Sequence, residues 1–485
     1  MGSVSPRPLT AGFGRWISGT SYVKRWAILG VAIGAIAGLG AVVFFRLVLL
    51  STHLLLGDIA GYTVPTPIGE GHLIGSASPT HAWALPLLAG FGGLASGALV
   101  FTFAPEAEGH GTDAAIAAVH HNPRGVRLRA IVVKLLASAL TIGSGGSGGR
   151  EGPAGQISAG FGSHLARVLD LSPEDSRTAV ATGIGAGIGS IFGAPLGGAV
   201  LAAEILYRDD FDPKALVPCF VASTVGYLIF GSAQGFGALF GSHGSYAFTN
   251  PSQLVWFALI GVLAGLVGLL YAHSFYGIAG LFARSPLPRW LNPAVGGLLV
   301  GACAIIVPEL LGTGYGFIQK GLGQQLNSIP LWIVLALPLL RILATSLSIG
   351  SGGSGGIFGP GMVIGAFLGA AVWRLFAPIV PSLGTNPAPF VIVGMMACFG
   401  SISRAPLAIM LMVAEMTGSI GIVLPAMLAV GIACLIVKQS DATIYKSQLG
   451  RREEEGRGLR DAEADAEESF GHLETVLAGA SRPRG

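Results

Sequence analysis

The chain has 485 residues, 52% of them hydrophobic and 11% charged, with a mean hydropathy of +0.68, whereas a soluble globular protein carries charge on about a quarter of its residues. Water is therefore not its main solvent. A formal net charge of +3 over this length gives no reason to expect nucleic acid as a partner.

Residues 1–25 form a hydrophilic lead-in in which Arg7, Arg15, Lys24 and Arg25 precede the first apolar run. Excess Lys and Arg beside a span marks the cytoplasmic side, so a cytosolic N-terminus is expected. The first run, 26–56, starts too late and is too long for the apolar stretch of a cleaved secretory signal, so it is expected to stay as a helix. Further apolar runs follow at 82–103, 216–230, 255–281, 293–307, 329–347 and 420–437. A spanning helix needs roughly 20 such residues, and ten or more spanning or half-spanning helices are expected in an all-α polytopic membrane protein. Cys219, Cys303, Cys398 and Cys434 stand singly in apolar segments without a CxxC, which reads as buried free thiols with no metal or cofactor role. After about residue 440 the composition changes, and residues 451–485 hold nine of the 25 acidic side chains. This segment reads as a charged cytosolic tail, with Arg451 and Arg452 as an interfacial anchor. The expected division is 1–25, a first membrane half 26–240, a second half 241–445, and a tail 446–485. Both termini are expected in the cytoplasm, with a bacterial inner membrane as the host.

The strongest feature is an internal repeat. The string GSGGSGGREGP at 143–153 returns as GSGGSGGIFGP at 350–360, identical at nine of eleven positions. The first copy is followed 42 residues after its proline by Ala194-Pro195-Leu196, and the second 46 residues after its own by Ala405-Pro406-Leu407. Glu204 and Glu415 each lie nine residues beyond those second prolines. Matched pairs in the same order indicate one domain built from two structural halves, as in many transporters. The residues leave parallel and inverted halves both open.

Each glycine run ends in Gly-Pro where a new helix begins, and proline suits the first helical turn because it has no N–H to lose. The first-turn amides of such a helix lack internal partners and, with the helix dipole, attract anions. Glycine-rich backbone cannot face lipid but can line a polar cavity inside the protein, and most glycines outside these two runs are expected to serve close helix packing. Helix ends aimed at a central anion site are the expectation. Neither run ends in GK[ST], which excludes a phosphate-binding P-loop. The chain contains no HExxH, no GxSxG and no clustered His and Asp, so no enzyme is expected. A carrier for a cation or an amino acid is the other reading.

Gly149-Arg150-Glu151-Gly152-Pro153 and Gly356-Ile357-Phe358-Gly359-Pro360 resemble the GREGP and GxFxP signatures of the CLC family of chloride channels and proton-coupled chloride exchangers. The resemblance runs from about Trp26 to Tyr445, with Lys134 placed 17 residues before Glu151 as in the family. It implies inverted halves and a homodimer with one anion pathway per subunit. Chloride is the implied ion, with other halides and nitrate as further candidates. A fluoride-exporting branch is disfavoured, since its signatures usually differ from GREGP. Glu151 is the implied gate, competing with chloride and moving aside when protonated. Gly149, Arg150 and Gly152 are implied at the anion path. The central site would use the amides of Ile357 and Phe358 and the hydroxyl of Tyr445. The family's GSGIPE element departs here to Gly109-His110-Gly111-Thr112-Asp113-Ala114, so His110 stands where a coordinating serine is implied, and its ring N–H can donate in place of a hydroxyl. The family's internal proton glutamate directly follows the position of Glu204, and Ile205 stands there. Weak or absent proton coupling is therefore expected. The alternative is an exchanger that moves protons through water or Glu204.

Three further cations, Lys134, Arg150 and Arg341, raise the positive potential along the pathway, or snorkel, or pair with carboxylates. Glu204 and Glu415 are expected at helix ends reaching cytosolic water. His120 and His121 are expected to be solvated loop residues.

Overall fold

Long apolar stretches without period-two alternation favour helix, the structure in which a segment satisfies its own backbone in lipid. The computed structural model describes residues 19–71, 78–241 and 250–452, with positions 12, 14, 16, 17, 75 and 248. Arg7, Arg15 and the acidic tail beyond Arg452 lie outside the described residues. Among the described residues there are sixteen bounded α-helices and only isolated β-bridges.

The first half runs α1 (Tyr22–Thr52), α2 (Ala84–Phe103), α3 (Thr112–His121), α4 (Leu128–Gly143), α5 (Glu151–Val168), α6 (Pro173–Phe192), α7 (Pro195–Glu204) and α8 (Pro213–Gln234). The second runs α9 (Leu254–Ala283), α10 (Asn292–Ala304), α11 (Tyr315–Gly321), α12 (Leu331–Gly350), α13 (Phe358–Phe376), α14 (Ala388–Ile402), α15 (Pro406–Thr417) and α16 (Val423–Gln439). Eight helices fall in each half. Seven segments are long and apolar enough to cross a membrane: Tyr22–Ile59, Ala84–Phe103, Pro213–Gln234, Pro251–Ala283, Leu331–Gly350, Phe358–Phe376 and Ile420–Gln439. The chain is thus an integral, multi-pass, all-α membrane protein.

Two expectations about spans change. The run 293–307 forms only the 13-residue α10 before a 3-10 turn at Pro308–Leu310, because Val307-Pro308 stops the helix. Phe358–Phe376, masked in the sequence by its glycines, has the length of a span instead.

Helix pairs pack through small residues, as expected where lipid gives no hydrophobic drive between helices. Between α13 and α14, a Cβ on Gly365 would lie 2.3 Å from the Gly394 carbonyl and one on Gly394 2.1 Å from the Gly365 carbonyl. Any side chain at either position would push the helices apart. The four cysteines are free, but only Cys219 and Cys398 are fully buried. Leu and Val side chains such as Val43, Leu266, Leu424 and Leu435 face outward, as a lipid-facing surface requires.

Candidate functional site

The two glycine runs leave α4 and α12 and meet in the interior. Gly149 and Gly356 exchange both backbone hydrogen bonds, each at 2.6 Å. Ser147 is held twice by α12, its amide donating to Ser348 Oγ at 2.9 Å and its hydroxyl bonding Thr345 Oγ1 at 3.0 Å. On the other side the Ser354 hydroxyl lies 2.9 Å from Ser138 Oγ. These hydrogen bonds within the protein are what permits irregular backbone in a membrane interior. The repeat also sets the backbone turn: Gly145 and Gly352 occupy equivalent positions with φ of 106° and 99°, a region that side chains avoid.

Both loops deliver helix N-termini to this junction. Helix α5 begins at Glu151 and α13 at Phe358, with Pro153 and Pro360 in their first turns. Among the described residues the amides of Ile357 and Phe358 donate to no acceptor. The next amide, Gly359, donates to Glu151 Oε2 at 3.3 Å, and the Tyr315 hydroxyl donates to Glu151 Oε1. Glu151 is completely buried. A carboxylate carried by the helix of one half therefore sits in the amide end of the other half's helix, where backbone dipole and free N–H groups favour negative charge.

A second repeated element builds the walls. Pro-Glu-x-x-Gly-x-Gly occurs at 105–111 and again at 308–314, and each copy folds as a 3-10 turn followed by a short helix, α3 or α11. Lys134 and Arg341, each nine residues before its glycine run, tie these turns down. Lys134 Nζ donates to the carbonyls of Ala107 at 3.1 Å and Gly109 at 2.6 Å. Arg341 donates to Leu310 at 2.7 Å and Gly312 at 2.5 Å. Both cations are fully buried. Neither snorkels or pairs with a carboxylate; each is a clamp on loop carbonyls.

His110 lies in the first of these turns, buried, with its ring 5.7 Å from that of Tyr445 and 6.0 Å from that of Phe275. Its Nε2 is 3.7 Å from Asp113 Oδ2, and its Nδ1 makes no hydrogen bond. The buried Tyr445 hydroxyl makes no well-formed hydrogen bond either and faces Thr112. Two unsatisfied polar atoms on neighbouring rings mark a place prepared for a polar guest. A cavity of about 370 Å³ reaches His110 past Glu108 and Asp113. A second cavity, about 410 Å³, ends on Arg150 and Thr313, the counterpart of His110 in the second turn. Glu151, Phe358 and Tyr445 line neither of these two cavities.

Arg150 pairs chiefly with Glu70 and only loosely with Glu151, at 4.0 Å. Its guanidinium lies 4.9 Å from the Phe45 ring and 5.2 Å from the Tyr315 ring. Glu204 ends α7 and is half-buried; its carboxylate accepts from Leu407 N at 3.2 Å and Ala408 N at 2.7 Å, capping α15. Glu415 does the same for α7 through Leu196 N at 3.1 Å and Gly197 N at 2.7 Å. Ile205 is wholly buried within the main apolar core. His120 and His121 end α3 rather than a loop, and His120 Nε2 lies 3.0 Å from the Leu206 carbonyl.

A sequence profile described as voltage gated chloride channel matches residues 92–438. The chain belongs to the CLC family. It is 36% identical over 306 residues to a putative chloride channel protein ClcB-like of Ralstonia nicotianae, covering 62% of this chain and 70% of the relative. It is 30% identical over 386 residues to an H(+)/Cl(-) exchange transporter ClcA of Yersinia pestis bv. Antiqua, covering 76% of this chain and 79% of that protein. Among solved structures, a slow cyanobacterial Cl-/H+ antiporter superposes with a TM-score of 0.75 at 24% identity, over 87% of this chain and 96% of the other. A CLC-type fluoride/proton antiporter gives 0.74 at 21% identity, over 89% and 100%. These last two likenesses concern the fold, in which two inverted helical halves meet at their half-helix N-termini.

The sequence reading missed Tyr315, Thr313 and Glu70. The repeated Pro-Glu-x-x-Gly-x-Gly would have found the first two, since it aligns Thr313 with His110 and places Tyr315 at a helix start. Nothing local marks Glu70.

Proposed function

We propose that this chain carries chloride across a bilayer along a pathway that Glu151 gates. The observation that carries this reading is the Glu151 carboxylate lying on the Gly359 amide at the start of α13, beside the free amides of Ile357 and Phe358. A carboxylate there stands where a permeating anion would bind. Protonation removes its charge and its claim on the helix end, so acid opens the pathway. The central site is formed by the amides of Ile357 and Phe358, the Tyr445 hydroxyl and the His110 ring, with Gly149, Arg150 and Gly152 at the mouth beyond Glu151. Lys134 and Arg341 contribute charge and hold the walls.

The side carrying Arg25, Asp175 and the 105–114 turn is taken as cytoplasmic, consistent with the positive charge before α1, and both termini lie on that side of a bacterial inner membrane. The membrane body runs from 26 to 445 in halves that divide near 240, and two copies form a homodimer. Proton coupling is weak or absent, because Ile205 cannot carry a proton. Exchange through Glu204 is a second reading, disfavoured because two backbone amides already hold that carboxylate.

The test is chloride flux into liposomes with proton movement followed in the same vesicles. Chloride flux that rises on acidification, with little or no uphill proton movement under a chloride gradient, is expected. Robust proton pumping at a fixed ratio overturns the uncoupled reading, and absence of chloride flux overturns the whole.

A further inference from the structure

The segment that follows α1 returns across the end of the molecule that bears Arg150. Residues 60–71 form a strap fixed by Gly69 N donating to the Leu239 carbonyl at 3.0 Å and Ile68 N donating to Gln319 Oε1 at 3.3 Å. The strap also presses on α11, since a Cβ on Gly316 would lie 2.0 Å from the Pro65 carbonyl oxygen. These contacts deliver Glu70 to Arg150 in an ion pair whose side chains are 3% exposed for the arginine and 10% for the glutamate. The cavity on this side is walled by strap residues from Tyr62 to Pro67 and terminates at the pair.

An anion arriving through that cavity meets Arg150 before it meets Glu151. The guanidinium is held between Phe45 and Tyr315, and Tyr315 in turn binds Glu151. It is thus fixed in place as a recruiting charge. Yet Glu70 already occupies it, and a paired cation has little positive potential left to offer. From this geometry we infer that Glu70 is a tethered competitor for chloride at the strap-side mouth, occupying Arg150 so that chloride must displace its carboxylate before reaching Glu151. The strap thereby lowers the affinity of that mouth for chloride. The inference rests on chloride passing this end of the pathway, and it gives Glu70 a role in setting chloride affinity that is distinct from the gate.

The test uses full-length protein in liposomes, with chloride flux recorded as the chloride concentration is varied on each side in turn. Glu70→Gln is expected to lower the half-saturating chloride concentration about tenfold, for chloride supplied from the strap side only, with maximal flux changed much less. Glu70→Asp, which keeps the charge, is expected to stay close to the parent. Gly316→Ala, which removes no charge but crowds the strap off α11, is expected to act in the direction of Glu70→Gln. A merely structural role predicts instead a fall in maximal flux from both sides. Unchanged or raised half-saturation in Glu70→Gln overturns the inference. If Glu70→Gln does not fold, the same result in Gly316→Ala overturns it. Glu151→Gln measured in parallel separates the two readings: loss of pH dependence there with unaltered Glu70→Gln behaviour sinks this inference alone. Retained pH dependence with lowered half-saturation in Glu70→Gln sinks the gate alone.

Discussion

The two halves of the molecule use one backbone plan and different side chains at the point where they meet. In the first half the helix start reads Arg150-Glu151, and in the second Ile357-Phe358. Loop, proline and helix are shared, so both halves aim a dipole at the junction. Only the first brings a carboxylate, which lies across the other half's amides, where those of Ile357 and Phe358 stay without an acceptor. The wall turns diverge in the same way, with His110 against Thr313 and a lysine clamp against an arginine clamp. The two halves thus share one scaffold and differ in the few side chains that meet at the junction.

The largest expected effect comes from erasing the difference at the helix start. Glu151→Gln or Glu151→Ala is expected to abolish the pH dependence of chloride flux and leave an open, passive pathway, read in liposomes across pH 4 to pH 8 as a roughly tenfold range in the parent that collapses to none. Unchanged pH dependence would remove Glu151 from the gate.

Next come the clamps. Arg341→Met strands the buried carbonyls of Leu310 and Gly312 and is expected to cost about 3 kcal/mol, with Lys134→Met close behind. Both should appear as lower thermal midpoints in detergent. Arg341→Lys should restore less than half of the loss, because a point charge cannot reproduce the fork. Equal stability in all three would mean the clamps are dispensable.

The paired caps test whether the halves still behave as mirror images. Glu204→Gln and Glu415→Gln are expected to destabilise by about 1.5 kcal/mol each. They lie at opposite ends of ten- to twelve-residue helices, about 15 Å apart, so the double variant should lose the sum within about 0.5 kcal/mol. Chloride flux should persist in both, and abolition of proton movement in Glu204→Gln alone would revive that residue as a proton station.

The smallest expected effect concerns the turns. His110→Ser should shift the chloride-to-nitrate flux ratio by about two- to threefold, the size of one hydrogen bond altered by a fraction of a kcal/mol. An unaltered ratio would show that His110 points away from the ion.

Much of the scaffold is legible in local sequence because its causes are local. Apolar runs longer than a bilayer's half-thickness become helices, Gly-Pro starts a helix wherever the chain goes next, and a duplicated string announces two halves. By the same logic the fixed spacing from Ala-Pro-Leu to Glu204 and Glu415 was visible, yet their purpose was not, since each glutamate caps a helix about two hundred residues away in the chain. The 293–307 run misled for a local reason that hydropathy averages over, namely a proline that ends the helix early.

The sequence by itself determined an all-helical membrane protein in two repeated halves with anion-favouring helix ends, because composition, periodicity and helix-start chemistry act over a few residues at a time. Only the tertiary structure decided which groups those ends meet. It set Glu151 on the amide of Gly359, Tyr315 on Glu151, Glu70 on Arg150, and Lys134 and Arg341 on loop carbonyls rather than on water or carboxylates. A buried charge takes whatever partner the fold presents, since leaving it unpaired is costly in a medium without water, and nothing in the neighbouring residues says which partner that will be.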